Sequence, residues 1–202
     1  MMRTFLDMLS QLQQRTGQLA QPFDGLPALA LRLYLVPVFW MAGSHKLADF
    51  SSTVEWFGNS DWGLGLPFPL LMATLATATE LAGAVLLALG LLTRWISIPL
   101  IITMLVAALT VHWPNGWQAI ADPSAPFANT QVIDSADKLA AARSLLQQHG
   151  NYEWLTSSGQ FVILNNGIEF AITYLVMLLA LVKLGGGRYI SVDYWFKQWL
   201  HK

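Results

Sequence analysis

Residues 66–92 read LPFPLLMATLATATELAGAVLLALGLL. The run is long and apolar enough to cross a bilayer, for which about 17–25 residues are needed, yet Glu80 stands in its middle. A charge there costs roughly 2.5–3.5 kcal/mol even on the gentlest insertion scale, so such residues face a protein interior for a reason. Further apolar runs lie at 26–44, 95–111 and 161–184. Arg32 in the first of these and Glu169 in the last repeat the anomaly.

Composition agrees with a membrane reading. Of 202 residues, 54% are apolar and 11% charged, and the mean hydropathy is +0.46. A soluble domain carries about 25% charged residues, so this chain has too few to coat a soluble surface. The pattern predicts an all-α integral membrane protein, one domain over 1–202. Its expected form is a four-transmembrane-helix bundle with interfacial end helices at 1–21 and 189–202. A long outer loop, 114–160, should contain a short helix. Asp134 or Ser135 is that helix's expected cap, Leu139, Ala142, Leu145 and Leu146 its apolar stripe, and Gly150 its stop. Pro37 should kink the first span, either as a packing bend or as a hinge. No signal-peptide core or cleavage site is evident at the N-terminus.

Charge placement gives an orientation. With four spans, both termini share a side with Arg94. That side carries Arg3, Arg15, Arg94, Lys183, Arg188, Lys197 and Lys202, and the other carries Lys46, Lys138 and Arg143. Seven basic residues against three predict cytoplasmic termini. Trp40, Trp56, Trp62, Trp95, Trp113, Trp117 and Trp154 fall near the expected interfaces, as an aromatic belt requires. The chain has no cysteine, which excludes thiol–disulfide chemistry, thiolate metal sites and iron–sulfur ligation by this chain alone.

The polar residues inside the spans form faces. Ala73, Ala76, Thr77, Glu80, Gly83 and Ala84 make a small-residue stripe that lets another helix approach. Asn165, Glu169 and Thr173 repeat at i, i+4 and i+8 with Asn166 alongside, and Thr103, Ala107 and Thr110 line the third span. A rise of about 1.5 Å per residue puts Glu80 and Glu169 both roughly 18 Å above the inner ends of their spans, and Arg32 about 9 Å up. Arg32 can then reach toward Glu80 or snorkel to the inner surface. Such groups either hold the bundle together or line a midplane cavity for a proton, a quinone head group or a small substrate, with Asn165, Asn166, Thr77 and Thr173 as its polar contacts. A desolvated carboxylate that holds a proton can pass it on. Near the outer ends, His45 and His112, with Met41 close by, offer a ligand set for copper or haem.

Several motifs resemble the DoxX family of small four-helix membrane proteins. They are Gly43-Ser44-His45-Lys46-Leu47 with Phe50, Glu80-Leu81-Ala82-Gly83, Gly90-Leu91-Leu92-Thr93-Arg94, and Gly185-Gly186-Gly187-Arg188-Tyr189-Ile190-Ser191-Val192-Asp193. Lys46 joins the candidates through this resemblance, against a reading as a snorkelling anchor. Trp56-Phe57-Gly58-Asn59, Asp61-Trp62-Gly63-Leu64-Gly65-Leu66-Pro67, the long outer loop and the run from Phe161 to Glu169 are most similar to the HvfX-like branch. That branch accompanies the maturation of copper-binding, ribosomally made peptides, and other relatives are associated with quinone-linked membrane oxidoreductases. The resemblance therefore implies a multi-pass protein of the bacterial inner membrane serving an oxidoreductase or maturation complex. Arg32, Lys46, Glu80 and Glu169 would be its working residues, and a quinone, or else copper or haem, its cofactor. Expected partners are lipid and maturation proteins or a copper-binding peptide, and no nucleic acid. A non-catalytic anchor for soluble enzymes and a small exporter are the alternatives.

Overall fold

In the computed structural model, residues 21–200 are described and the fold is helical. The expected surface helix over 1–21 lies almost wholly outside these residues. The chain divides into two compact units, Met1–Ile101 with Met177–Lys202, and Ile102–Val176.

The first unit opens with a turn at Gln21–Phe23 and helix α1, Leu26–Ala48. Helix α2, Phe50–Gly58, is capped by Asp49, and helix α3, Pro69–Leu89, follows. Hydrogen bonds from the Ser52 hydroxyl and amide, and from the Ser51 hydroxyl, hold the Asp49 carboxyl below the usual carboxylate range. Ala28, Arg32, Leu35, Phe39 and Gly43 are buried along α1, a stripe at helical spacing. That stripe meets α3, whose buried residues Ala73, Thr77, Glu80, Gly83 and Ala84 belong to the expected small-residue face, with Leu87 added and Ala76 only half-buried. A Cβ on Gly43 would lie 2.8 Å from Leu81 Cγ, and one on Gly83 2.8 Å from Leu100 Cδ2. Glycine at these points lets the backbones close up, which gives packing where lipid removes the hydrophobic incentive.

Helix α3 ends at Gly90, whose φ of 62° suits glycine. Leu91 N–H reaches back to Leu86 O at 3.0 Å, in the manner of a left-handed helix cap. Helix α4, Thr93–Val106, continues through a π-helical turn, Ala107–His112, and a 3₁₀ turn, Trp113–Asn115. Three helical stretches among the described residues are long and apolar enough to cross a membrane: Gln21–Ala48, Pro69–Leu89 and Thr93–Asn115.

The fourth expected span differs. Helix α7 (below) begins only at Glu169 and ends at Leu184, so residues 161–168 are not helical. Its 16 residues extend about 24 Å, short of a ~30 Å hydrocarbon core. The cause is local. Asn165, Asn166, Gly167, Ile168 and Glu169 donate their amides to carbonyls of residues 116–119, and Asn166 takes a φ of 59° that a helix forbids.

In the second unit, helix α5 spans Thr130–His149 and helix α6 Tyr152–Thr156. The loop helix thus starts earlier than expected, because Asn129 accepts from Val132 N–H and supplies the cap. Ser135 instead lies inside the helix with its hydroxyl donating to Val132 O at 2.6 Å. Gly150 follows the last turn as expected. After α7, Glu169–Leu184, the chain ends in α8, Val192–Leu200, which exposes Val192, Trp195, Phe196, Trp199 and Leu200 along one face.

Candidate functional site

Two buried charge centres lie in the first unit, and they do not share a partner. Lys46 pairs with Glu80. Its Nζ donates to both carboxylate oxygens, at 2.9 and 2.7 Å, and also lies 3.5 Å from Ala42 O. The reach follows from helix geometry. Cα–Cβ bonds tilt toward the helix N-terminus, so a lysine in the last turn of α1 leans back toward Gly43, where α1 touches Leu81 beside Glu80. Glu80 is 3% exposed at its side chain and Lys46 25%, so the ammonium forms the open edge of the pair.

Thr77 completes this centre. It stands at i−3 from Glu80 on the buried face of α3, neighbours on a helix surface. Its hydroxyl is buried and has no hydrogen-bond partner among the described residues. Leaving such a group unpaired costs about 1–3 kcal/mol. One unpartnered hydroxyl and a carboxylate–ammonium pair therefore share the buried face of α3.

Arg32 occupies the other centre, at the Gly90 end of α3. It neither climbs to Glu80 nor snorkels. Fully buried, it spreads its fork over carbonyls: Nε donates to Leu87 O at 2.8 Å, Nη1 to Gly186 O, and Nη2 to Ile190 O at 2.7 Å and Ala88 O at 3.4 Å. Leu87 and Ala88 are last-turn carbonyls at the negative end of the helix dipole, and Leu87 O also accepts from Gly90 N–H at 3.2 Å. A planar guanidinium matches such a set and an ammonium does not.

The glycine-rich tail is built around this arginine. Ser191 Oγ donates to Gly90 O at 3.1 Å, and Asp193 N–H to the same carbonyl at 3.0 Å. The Asp193 carboxylate accepts from Leu92 and Thr93 N–H at 2.8 and 3.0 Å, capping α4 and adding a favourable charge for Arg32. Sequence reading noted both glycine motifs without assigning Ser191 or Asp193 a place. The available signal was that both motifs end apolar runs on the inner side, the side toward which the Arg32 side chain could reach.

In the second unit, Glu169 is the first residue of α7 instead of a mid-span carboxylate. Its Oε2 accepts from Ala119 N–H at 2.9 Å, so Glu80 and Glu169 have separate partners. Asn165 is likewise outside the helix, which removes the expected i, i+4, i+8 face. Its Nδ2 donates to Asn115 O and Gln118 O at 2.8 and 2.7 Å. His112 Nδ1 lies 2.9 Å from Asn166 O, and Thr173 Oγ1 donates to Glu169 O at 2.8 Å. A Cβ on Gly167 would stand 2.5, 2.6 and 2.7 Å from the carbonyl oxygens of Gln118, Trp117 and Gly116. Gly167→Ala is therefore expected to destabilise this clasp by about 1–3 kcal/mol, measured as a lower unfolding midpoint in detergent, whereas Ile168→Val should leave it unchanged.

These bonds bear on cofactors. The side-chain donors of Asn165 and Thr173, and the backbone oxygen of Asn166, are already engaged by the protein. The buried Thr77 hydroxyl and the exposed side-chain amide of Asn166 are the parts of the expected set left to take a polar ligand. His45 and Met41 are exposed on α1, and His112 belongs to the clasp. Among the described residues, no group of three or more His, Cys, Asp or Glu side chains is placed to hold a metal ion.

Comparison with known proteins gives a partial match. No solved structure matches the chain. It is 31% identical over 98 residues to a protein of Escherichia coli (strain K12) named inner membrane protein YphA, a stretch covering 48% of this chain and 66% of that protein's length. Residues 28–113 match the DoxX family, and that matched segment carries Arg32, Lys46 and Glu80.

Proposed function

We propose that this chain is a multi-pass DoxX-type protein of the bacterial inner membrane with four spans and both termini in the cytoplasm. It serves an oxidoreductase or maturation complex for copper-binding ribosomal peptides, and Lys46–Glu80 is its proton-handling centre. The observation that carries this reading is the bidentate pair at 2.7 and 2.9 Å with the unpartnered Thr77 hydroxyl on the same face. The hydroxyl beside the pair is available for a water or a substrate group. The inner-membrane location is supported by the similarity to the E. coli protein and by the apolar helices. The orientation rests on the excess of basic residues at the termini.

Glu80→Gln keeps the shape of the carboxylate and removes its ability to exchange a proton. It should lower peptide maturation by at least about 10²-fold in cells while the amount of membrane-inserted protein stays at the wild-type level. Full maturation with Glu80→Gln would sink the proton-handling reading and leave the chain as an anchor. The anchor reading has its own support in the exposed apolar face of α8, and it predicts loss of maturation on removing residues 195–202 with Glu80 and Asp193 intact.

A further inference from the structure

A cavity of about 320 Å³ opens in the first unit between the α3–α4 turn, the glycine turn after α7, and α8. Arg94, Trp95, Gly186, Asp193, Phe196 and Lys197 are among its lining residues. Trp95 lies in the first turn of α4, and Leu184, also lining, is the last residue of α7. Two apolar helices therefore end at the cavity, which on the membrane-spanning reading sets it at the level of the lipid phosphates. Its charge fits that level. Lys197 is exposed and has no hydrogen-bond or ion-pair partner among the described residues. Arg94 spends one nitrogen on Lys183 O at 3.0 Å and keeps the rest of its fork. The lining acid, Asp193, turns both oxygens to the amides of Leu92 and Thr93. Exposed Trp95 and Phe196 supply the apolar rim that an acyl chain would follow.

We propose that this cavity binds a phosphate-bearing anion, the headgroup of an anionic phospholipid, through Arg94 and Lys197. Arginine forks onto phosphate oxygens and lysine adds a point charge. The inference rests on the spanning reading and is independent of any role for Lys46 and Glu80.

The test is native mass spectrometry of the full chain released from detergent supplemented with phosphatidylglycerol or phosphatidylcholine. Wild type should retain phosphatidylglycerol in preference. Lys197→Gln and Arg94→Gln together should reduce retention about tenfold. Because Arg94→Gln also loses the bond to Lys183, Lys197→Gln alone must show a partial loss and Lys197→Arg must recover it. Lys138→Gln, on the loop helix, is the charge control and should change nothing. Equal retention of both lipids, or unchanged retention in the double variant, overturns the proposal. Protection of wild type by inorganic phosphate without any retained lipid would keep the anion site and assign it to a free anion. Alkaline carbonate extraction runs alongside, so that a chain washed from membranes reports failure of the spanning reading and lipid loss from a chain that stays reports on the cavity.

Discussion

Lys46→Met is expected to lower the free energy of unfolding by about 3–5 kcal/mol, because it strands the Glu80 carboxylate in the interior without its cation. Glu80→Leu should cost less, about 1–3 kcal/mol, since the Lys46 side chain is 25% exposed and its ammonium can swing outward. The double variant, with Lys46→Met and Glu80→Leu together, should regain most of the loss. Replacing both members of a buried pair by apolar groups is often neutral or stabilising, whereas removing one is not. Unfolding midpoints in a titrated denaturing detergent measure all three. If the double variant is as unstable as Lys46→Met, or if Glu80→Leu is the worse single change, the asymmetric pair described here is wrong. Stability recovered without peptide maturation would separate the two roles such a pair can have, because a group that only holds helices together is replaceable by packing.

The second large effect concerns Arg32. Arg32→Leu should cost about 3–5 kcal/mol, because the carbonyls of Gly186 and Ile190 lose the guanidinium together and Leu87 O keeps only the Gly90 N–H. Arg32→Lys should recover little, since a single ammonium cannot span a set laid out for a planar fork. Gly90→Ala attacks the same place from the other side. A Cβ there would lie 2.5 Å from Arg32 Nη1 and 2.9 Å from Ser191 Cα, on a backbone at φ 62°. Strain of this kind costs about 1–3 kcal/mol. The two changes should be less than additive when combined, because Leu at 32 vacates the space the new methyl needs. Strict additivity of Arg32→Leu and Gly90→Ala in the same unfolding assay would contradict the contact.

Much of this was legible from hydropathy and charge. The apolar runs located α1, α3 and α4, and the rarity of charge inside them singled out Arg32 and Glu80. Pairing was harder to read. The first apolar run stops at 44, so Lys46 lies outside it, yet α1 continues to Ala48 and the lysine leans back along the helix to Glu80. The depth difference of about 9 Å between Arg32 and Glu80 was a sign that they need not meet. Residues 161–168 misled for another reason. Hydropathy reports side chains, while the conformation there is set by backbone amides that pair with residues 116–119. Asn165, Asn166 and Gly167 were the local warning, being turn-forming types in an apolar run. The meeting of Gly90 with Ser191 and Asp193 spans about a hundred positions, a distance at which a single sequence carries no pairing signal.

The coordination of Arg32 has a consequence for the order of synthesis. Two of its acceptors, Gly186 and Ile190, are made 154 and 158 residues after it. A nascent chain that has delivered α1, α3 and α4 to the membrane thus carries a guanidinium whose shell is half filled. Contacts this far apart form late, since the loop between them must close first. Until then the partly assembled protein is marked by an unsatisfied charge of the kind that chaperones and membrane proteases can find. Chains interrupted before Gly186 should consequently be cleared from cells, however complete their Lys46–Glu80 pair.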